Sequence, residues 1–324
     1  MNEDTAAWRQ CGLRLENLVR HAQQELVLVA PFIKAVPFRR LLALAADSIP
    51  VTVVTRWKPE EVALGVSDLE IWETVKERAS TELRLCSALH AKYYRADQSC
   101  LVGSSNLTAR ALGWASSSNT ELLLPIPAAN EHIVGFESQL LESSSPVDDS
   151  VVDFIRDAAA QLQISRPSPS SAEELAEEAS ATPACRAGDW VPLLRHPEEL
   201  YSFYEGDCDS MTGPARAAAA TDLTALDVPR GLSGAQFGGY VGAQMLQSAV
   251  VAAVDAYLVE SQRFGAVADF LFDQLNKRGV APTDRDAAWQ TLMRWLLFFL
   301  PGRYVHSVPH YSEIMVRRTE EADT

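Results

Sequence analysis

Over the first 145 residues, apolar positions change period in an order that reads as alternating helices and strands. Across residues 6–23, Trp8, Leu15, Leu18 and Val19 recur at helical spacing among Arg and Glu, which predicts an amphipathic helix. Residues 25–30 (ELVLVA) form a nearly continuous apolar run ended by Pro31, the pattern of a strand buried on both faces. A helix over 37–46, a buried strand over 51–55 and a helix over 66–79 extend this α/β rhythm. After residues 82–86 the strands come closer together, at 90–95, 100–102 and 120–124, and the polar tract 96–99 has the size of a tight hairpin connection. A helix over 130–141 closes this part.

Residues 143–150 (SSSPVDDS) mark a break, and residues 165–187, rich in Ser, Pro, Ala and Glu without a sustained apolar face, read as a linker. A bridging helix over 151–162 is expected between them. Beyond Trp190, helical periodicity returns over 244–259, 264–277 and 285–300, and residues 304–318 look extended. The expected organisation is therefore a catalytic domain over 1–145, a bridging helix and linker over 146–188, and a mainly α-helical domain over 189–324.

Charge narrows the function classes. The formal net charge of -15 argues against a protein that coats nucleic acid through a broad basic surface. Residues 1–145 hold 14 Lys and Arg against 17 Asp and Glu, so most of the excess acidity lies later and the first part is the better candidate for meeting a polyanion. Five scattered cysteines, without a CxxC or a Cys/His cluster, read as isolated reduced thiols. Residues 1–8 lack the basic and apolar regions of a signal peptide, and the apolar run 295–300 is too short to span a bilayer. These features point to the cytoplasm.

The candidate chemistry lies between residues 90 and 121. On a strand, positions i and i+2 share a face, so His90 and Lys92 would present an imidazole and an ammonium together. Asp97 follows after four residues. Gly103, Ser104, Ser105, Asn106, Leu107 and Thr108 come directly after the next strand, where a Gly lets backbone and short polar groups approach a ligand. Glu121, in the run Asn119-Thr120-Glu121, supplies a carboxylate.

Taken in order, LHAKYYRAD, LVGSSNLT and NTE resemble the signature of the phospholipase D superfamily: H-x-K, four residues, D, about six residues, G-S or G-G, one residue, N. The interval of five residues from Gln98 to Val102 reads as a shortened hairpin. The resemblance covers roughly residues 6–145 and points to the single-motif, nuclease-like branch that includes restriction-type endonucleases. It implies a mixed sheet flanked by helices, followed here by the mainly helical C-terminal domain.

It also implies roles. His90 is the expected nucleophile, forming a phosphohistidine, and a second His90 protonates the departing oxygen and later activates water. Glu121 is expected to accept the other ring N–H and stabilise imidazolium. Lys92 and Asn106 would hold phosphoryl oxygens, with Ser104 adding a hydroxyl contact, while Asp97 and Gly103 are assigned to structure. No metal or cofactor is implied, since lysine and imidazole do that work. His21, His132, His196, His306 and His310 lack a Lys two positions on, so the chain carries half of a two-histidine site and a two-fold homodimer is expected.

Single-motif relatives favour nucleic acid, DNA before RNA, over phospholipid, and suggest a setting in antiviral defence or restriction. Arg56, Arg95, Arg110 and Thr108 are the expected substrate contacts, with Arg39, Arg40 and Lys58 as further candidates. For the C-terminal part, Arg303, Tyr304, His306, His310, Arg317 and Arg318 suggest nucleic-acid recognition, and its acidity suggests docking to an ATPase or translocase partner. The alternatives are a phospholipase D-type lipid hydrolase or phosphatidyl transferase, and a nucleic-acid-binding subunit of a larger defence complex.

Overall fold

The computed structural model describes residues 10–162, 189–280, 282–309 and 313–318. The linker tract 165–187, His310 and the start of the expected first helix lie outside these residues. The chain divides into two units, Met1–Thr182 and Pro183–Thr324.

In the first unit, α1 (Cys11–Arg20) precedes β1 (Leu26–Val29), whose four residues are all buried. Then come α2 (Ala35–Leu42), β2 (Val51–Thr55), α3 (Pro59–Leu64), α4 (Ile71–Lys76) and β3 (Thr81–Leu85). Strands β1, β2 and β3 pair in parallel, as the helical crossovers between them require. The later strands β4 (Lys92–Ala96), β5 (Ser99–Gly103) and β6 (Leu123–Pro127) form an antiparallel meander, and β4 joins β1. The result, with the two-residue strand β7 (Ser145–Pro146) at one edge, is a seven-stranded mixed sheet in the order β6-β5-β4-β1-β2-β3-β7.

The first unit runs past residue 145. Strand β7 (Ser145–Pro146) pairs with β3 at the sheet edge, and α6 (Asp149–Gln161) packs on α3. Asp148 caps α6 through Val151 N–H at 2.9 Å. The preceding helix, α5 (Glu131–Glu142), covers the face of the sheet that carries Tyr93 and Cys100, with Phe136 and Leu141 packed against this core. Each large apolar side chain buried there contributes roughly 1.5–3 kcal/mol.

The second unit is mainly helical. It contains α7 (Glu199–Glu205), α8 (Gly213–Ala225), α9 (Gly234–Met245), α10 (Ala249–Tyr257), α11 (Phe264–Lys277) and α12 (Arg285–Phe299). The single helix expected over 244–259 is two, α9 and α10, because the Ser248 hydroxyl accepts from Val251 N–H and starts a new helix at an 81° bend. Among the described residues no single helix is long and apolar enough to cross a membrane. The expected extended segment forms β9 (Tyr304–Ser307) and β10 (Ile314–Arg317), which with β8 (Gln262–Arg263) make a three-stranded sheet.

One expectation for this unit changes. Arg303, Arg317 and Tyr304, expected on a recognition face, all donate to the buried Asp255 carboxylate, at 2.6–2.8 Å. Their polar ends tie β9 and β10 to α10.

Candidate active site

Strand register assembles the site. Lys92 pairs with Gly103 across β4 and β5, and Gly103 pairs with Leu123 across β5 and β6. Because β4 and β6 are each antiparallel to β5, they run parallel to one another. His90 lies two residues before β4 and Glu121 two residues before β6, so they occupy equal offsets at one end of the sheet. Two strand spacings amount to about 10 Å between the backbones, a gap that an imidazole and a glutamate side chain can span together. Residues 104–106 leave β5 between them.

Strands β4 and β6 begin later than the sequence pattern predicts. His90 is in the approach to β4, and Lys92 is the first strand residue; the i, i+2 rule therefore pairs Lys92 with Tyr94 rather than with His90. His90 is exposed, whereas Lys92 and Asn106 are buried. Glu121 likewise precedes its strand.

The loop after β5 is fixed from several directions. Ser104 N–H donates to the Leu122 carbonyl at 2.9 Å, and the Ser104 hydroxyl accepts from Leu122 N–H at 3.1 Å while donating to Glu121 Oε2. Asn119 Nδ2 donates to the other Glu121 oxygen at 3.2 Å. Further on, Leu107 N–H donates to the Phe32 carbonyl at 3.1 Å, and Lys34 N–H to the Leu107 carbonyl at 3.0 Å, which stitches the loop to the end of β1. The Tyr94 hydroxyl donates to the Ser105 carbonyl at 2.6 Å. Burial, and after it the charge of Glu121, holds the Tyr94 phenol well above its ordinary pKa, so it stays a donor. Asn106 Oδ1 is buried without a hydrogen-bond partner among the described residues, a state that costs about 1–3 kcal/mol and leaves one end of that amide uncommitted.

Gly103 has a steric reason. A Cβ there would lie 1.8 Å from the Leu122 carbonyl oxygen, so only Gly lets β6 approach closely enough for the Ser104–Glu121 contact. Asp97 occupies the two-residue connection between β4 and β5 at a φ of 51°. Its carboxylate accepts from the backbone N–H groups of Gln23, Gln24 and Glu25 at 2.8–3.0 Å, pinning the hairpin to the start of β1. Burial alone would raise its pKa, but these donors outweigh it and hold the carboxyl below its usual value.

Of the expected substrate contacts, three change role. Arg95 is three positions from Lys92 and so projects from the other face, where it binds Glu137 and Glu25. Arg56 is buried, paired with Glu61 and bonded to the Leu89 carbonyl. Thr108 is buried and its hydroxyl caps the next turn, accepting from Ala111 N–H. Arg110 stays partly exposed beside the loop, with Nε on Asn119 Oδ1 at 3.4 Å. Among the further candidates, Lys58 is buried, Arg40 pairs with Glu16, and Arg39 is exposed. The sequence reading missed Tyr94, whose only sign was its place two positions after Lys92.

A cleft of about 830 Å³ opens next to this arrangement, lined by residues 108–110 together with Lys34, Asp68 and Arg156. It includes none of His90, Lys92, Ser104, Asn106 or Glu121. Among the described residues no three His, Cys, Asp or Glu side chains converge as metal ligands.

Residues 15–138 match the family described as cardiolipin synthase, PLD-like domain. No curated protein matches the sequence. Similar solved structures include NucT from Helicobacter pylori, at 16% identity and a TM-score of 0.35, covering 43% of this chain and 92% of that one. TrmBL2, an archaeal chromatin protein, is similar at 16% identity and a TM-score of 0.29, over 41% of this chain and 48% of that one. Phosphatidylserine synthase from Haemophilus influenzae is similar at 16% identity and a TM-score of 0.34, over 51% and 40%. The family match spans the whole of the site built above, so the resemblance to a phospholipase D-like domain is a property of residues 15–138.

Proposed function

We propose that the first unit is a metal-independent phosphodiesterase that cleaves nucleic acid, with DNA as its first substrate. His90 attacks phosphorus and forms a phosphohistidine, while Lys92 and Asn106 carry the phosphoryl oxygens. Glu121 orients the imidazole and steadies its charge, and Ser104 fixes the carboxylate of Glu121. The observation that carries this reading is the register of β4, β5 and β6, which sets an exposed imidazole, a buried ammonium, a buried amide and a braced carboxylate at one end of three adjacent strands.

One imidazole cannot serve at the same instant as nucleophile and as acid for the departing oxygen. The second comes from another copy of the chain in a two-fold dimer, where one ring is neutral and the other protonated near neutral pH. The test is incubation of the full chain with labelled single- and double-stranded DNA, RNA and a phospholipid, all in EDTA, beside His90→Ala. Cleavage of DNA that persists in EDTA and disappears in His90→Ala is the expected result. Hydrolysis of the lipid alone would move the substrate to phospholipid, and binding without turnover would make the chain a nucleic-acid-binding subunit.

A further inference from the structure

Arg56 places a full charge where charge is costly. Its side chain is 3% exposed and that of Glu61 is 2%. Nε donates to Glu61 Oε2 at 3.1 Å and Nη2 donates to Oε1, a two-bond fork that fixes the plane of the guanidinium. Burial pushes the Glu61 carboxyl up from its ordinary pKa, and the charge of Arg56 opposes that rise. Buried pairs of this kind add little net stability over apolar side chains of equal volume, so stability is a weak account of it.

The third bond supplies a better one. With its plane fixed by Glu61 and its face 5.3 Å from the Phe32 ring centroid, Arg56 points Nη1 at the Leu89 carbonyl, 2.9 Å away. The Leu89 carbonyl and the His90 N–H belong to one rigid peptide plane. Fixing that oxygen therefore fixes the plane from which the His90 side chain leaves the backbone, at a point where no strand pairing yet does so. We propose that Arg56, held by Glu61, is a positioning residue for His90. The role in turnover rests on the reading of His90 as the nucleophile; the geometric role does not.

The test uses the full chain with labelled histidines, following the His90 ring signal by NMR alongside turnover of labelled DNA. Arg56→Lys keeps the charge but cannot make the fork and reach Leu89 together. The His90 signal, assigned with His90→Ala, is expected to shift while those of His21 and His132 stay in place. Its kcat is expected to fall about 10²-fold, the scale of a misplaced reacting group, with KM within about twofold. Glu61→Gln, which keeps the shape, should move both readouts in the same direction by less. A folded Arg56→Lys with an unmoved His90 signal overturns the proposal. Unfolding of both variants would make the pair a stability element and overturn it as well. If the wild type cleaves nothing, the functional reading fails while the NMR comparison still decides the positioning.

Discussion

The Tyr94 hydroxyl and the Ser105 carbonyl meet at 2.6 Å, joining the strand that carries Lys92 to the loop that carries Asn106. Lys92 and Tyr94 share a face of β4, so the phenol that braces the loop leaves the strand on the same side as the lysine. Removing the hydroxyl in Tyr94→Phe leaves a buried carbonyl without its donor and should lower stability by about 1–3 kcal/mol. Activity should fall further than this loss explains, by roughly tenfold in kcat, because Asn106 loses its fixed position. Urea unfolding and DNA turnover together check this; a Phe variant with unchanged turnover removes Tyr94 from the account of the site.

Gly103 gives a sharper case. The Leu122 carbonyl oxygen stands 1.8 Å from where a Cβ would go, and it is backbone, so it cannot swing aside. Gly103→Ala should separate β5 from β6 and cost on the order of 3 kcal/mol, at the upper end of overpacking effects. Gly113→Ala serves as a comparison: it has open space around it, and its positive φ of 75° gives only local strain. Thermal unfolding of the two variants should rank Gly103→Ala as the less stable, with its DNA cleavage lost; the opposite ranking would mean that β6 can yield.

Parts of this site were legible from residue order alone. The four-residue interval after Lys92 puts Asp97 at the hairpin, where its carboxylate accepts from three backbone amides just before β1. Strand alternation already sets Arg95 opposite Lys92, an odd number of positions away, which takes it off the face of the expected substrate contacts. Arg56 was less readable. Its partner Glu61 lies in α3, a six-residue helix too short for apolar periodicity to reveal. In the second unit, nothing in the spacing of Asp255 and Arg303, 48 residues apart, announces that they pair. Local pattern located the strands and the motif, whereas the partners of buried charges depend on tertiary contacts that pattern does not encode.

The Asp97 carboxylate makes a pH prediction. Its folded pKa lies below the ordinary value, so its stabilising effect is present above the unfolded pKa, near 4, and is lost as pH falls through the folded one. Asp97→Asn keeps one acceptor oxygen but not the charge. The variant should be less stable than the wild type at neutral pH, and the difference should shrink below about pH 4. A gap between the two proteins that is the same at neutral and acid pH would assign the effect to shape rather than charge.

Asp222 reverses that sign in the second unit. It is fully buried and accepts from Trp190 Nε1 at 3.1 Å and from the backbone N–H groups of Leu193 and Leu194, at 2.8 Å for the latter. Burial raises its pKa to about 6, against the lowering by these donors. In the unfolded chain the carboxyl ionises near 4, before the folded one does. As pH rises from about 4 to 6, the unfolded state therefore gains relative to the folded one, and above 6 the full penalty of roughly 3 kcal/mol is present. Asp222→Asn removes the ionisation while leaving one oxygen to accept. Urea unfolding of the full chain, followed through tryptophan fluorescence, should show a decline in wild-type stability between pH 4 and 6 that is steeper than in Asp222→Asn. Parallel pH profiles for the two proteins would mean that three donors already offset the burial of this charge.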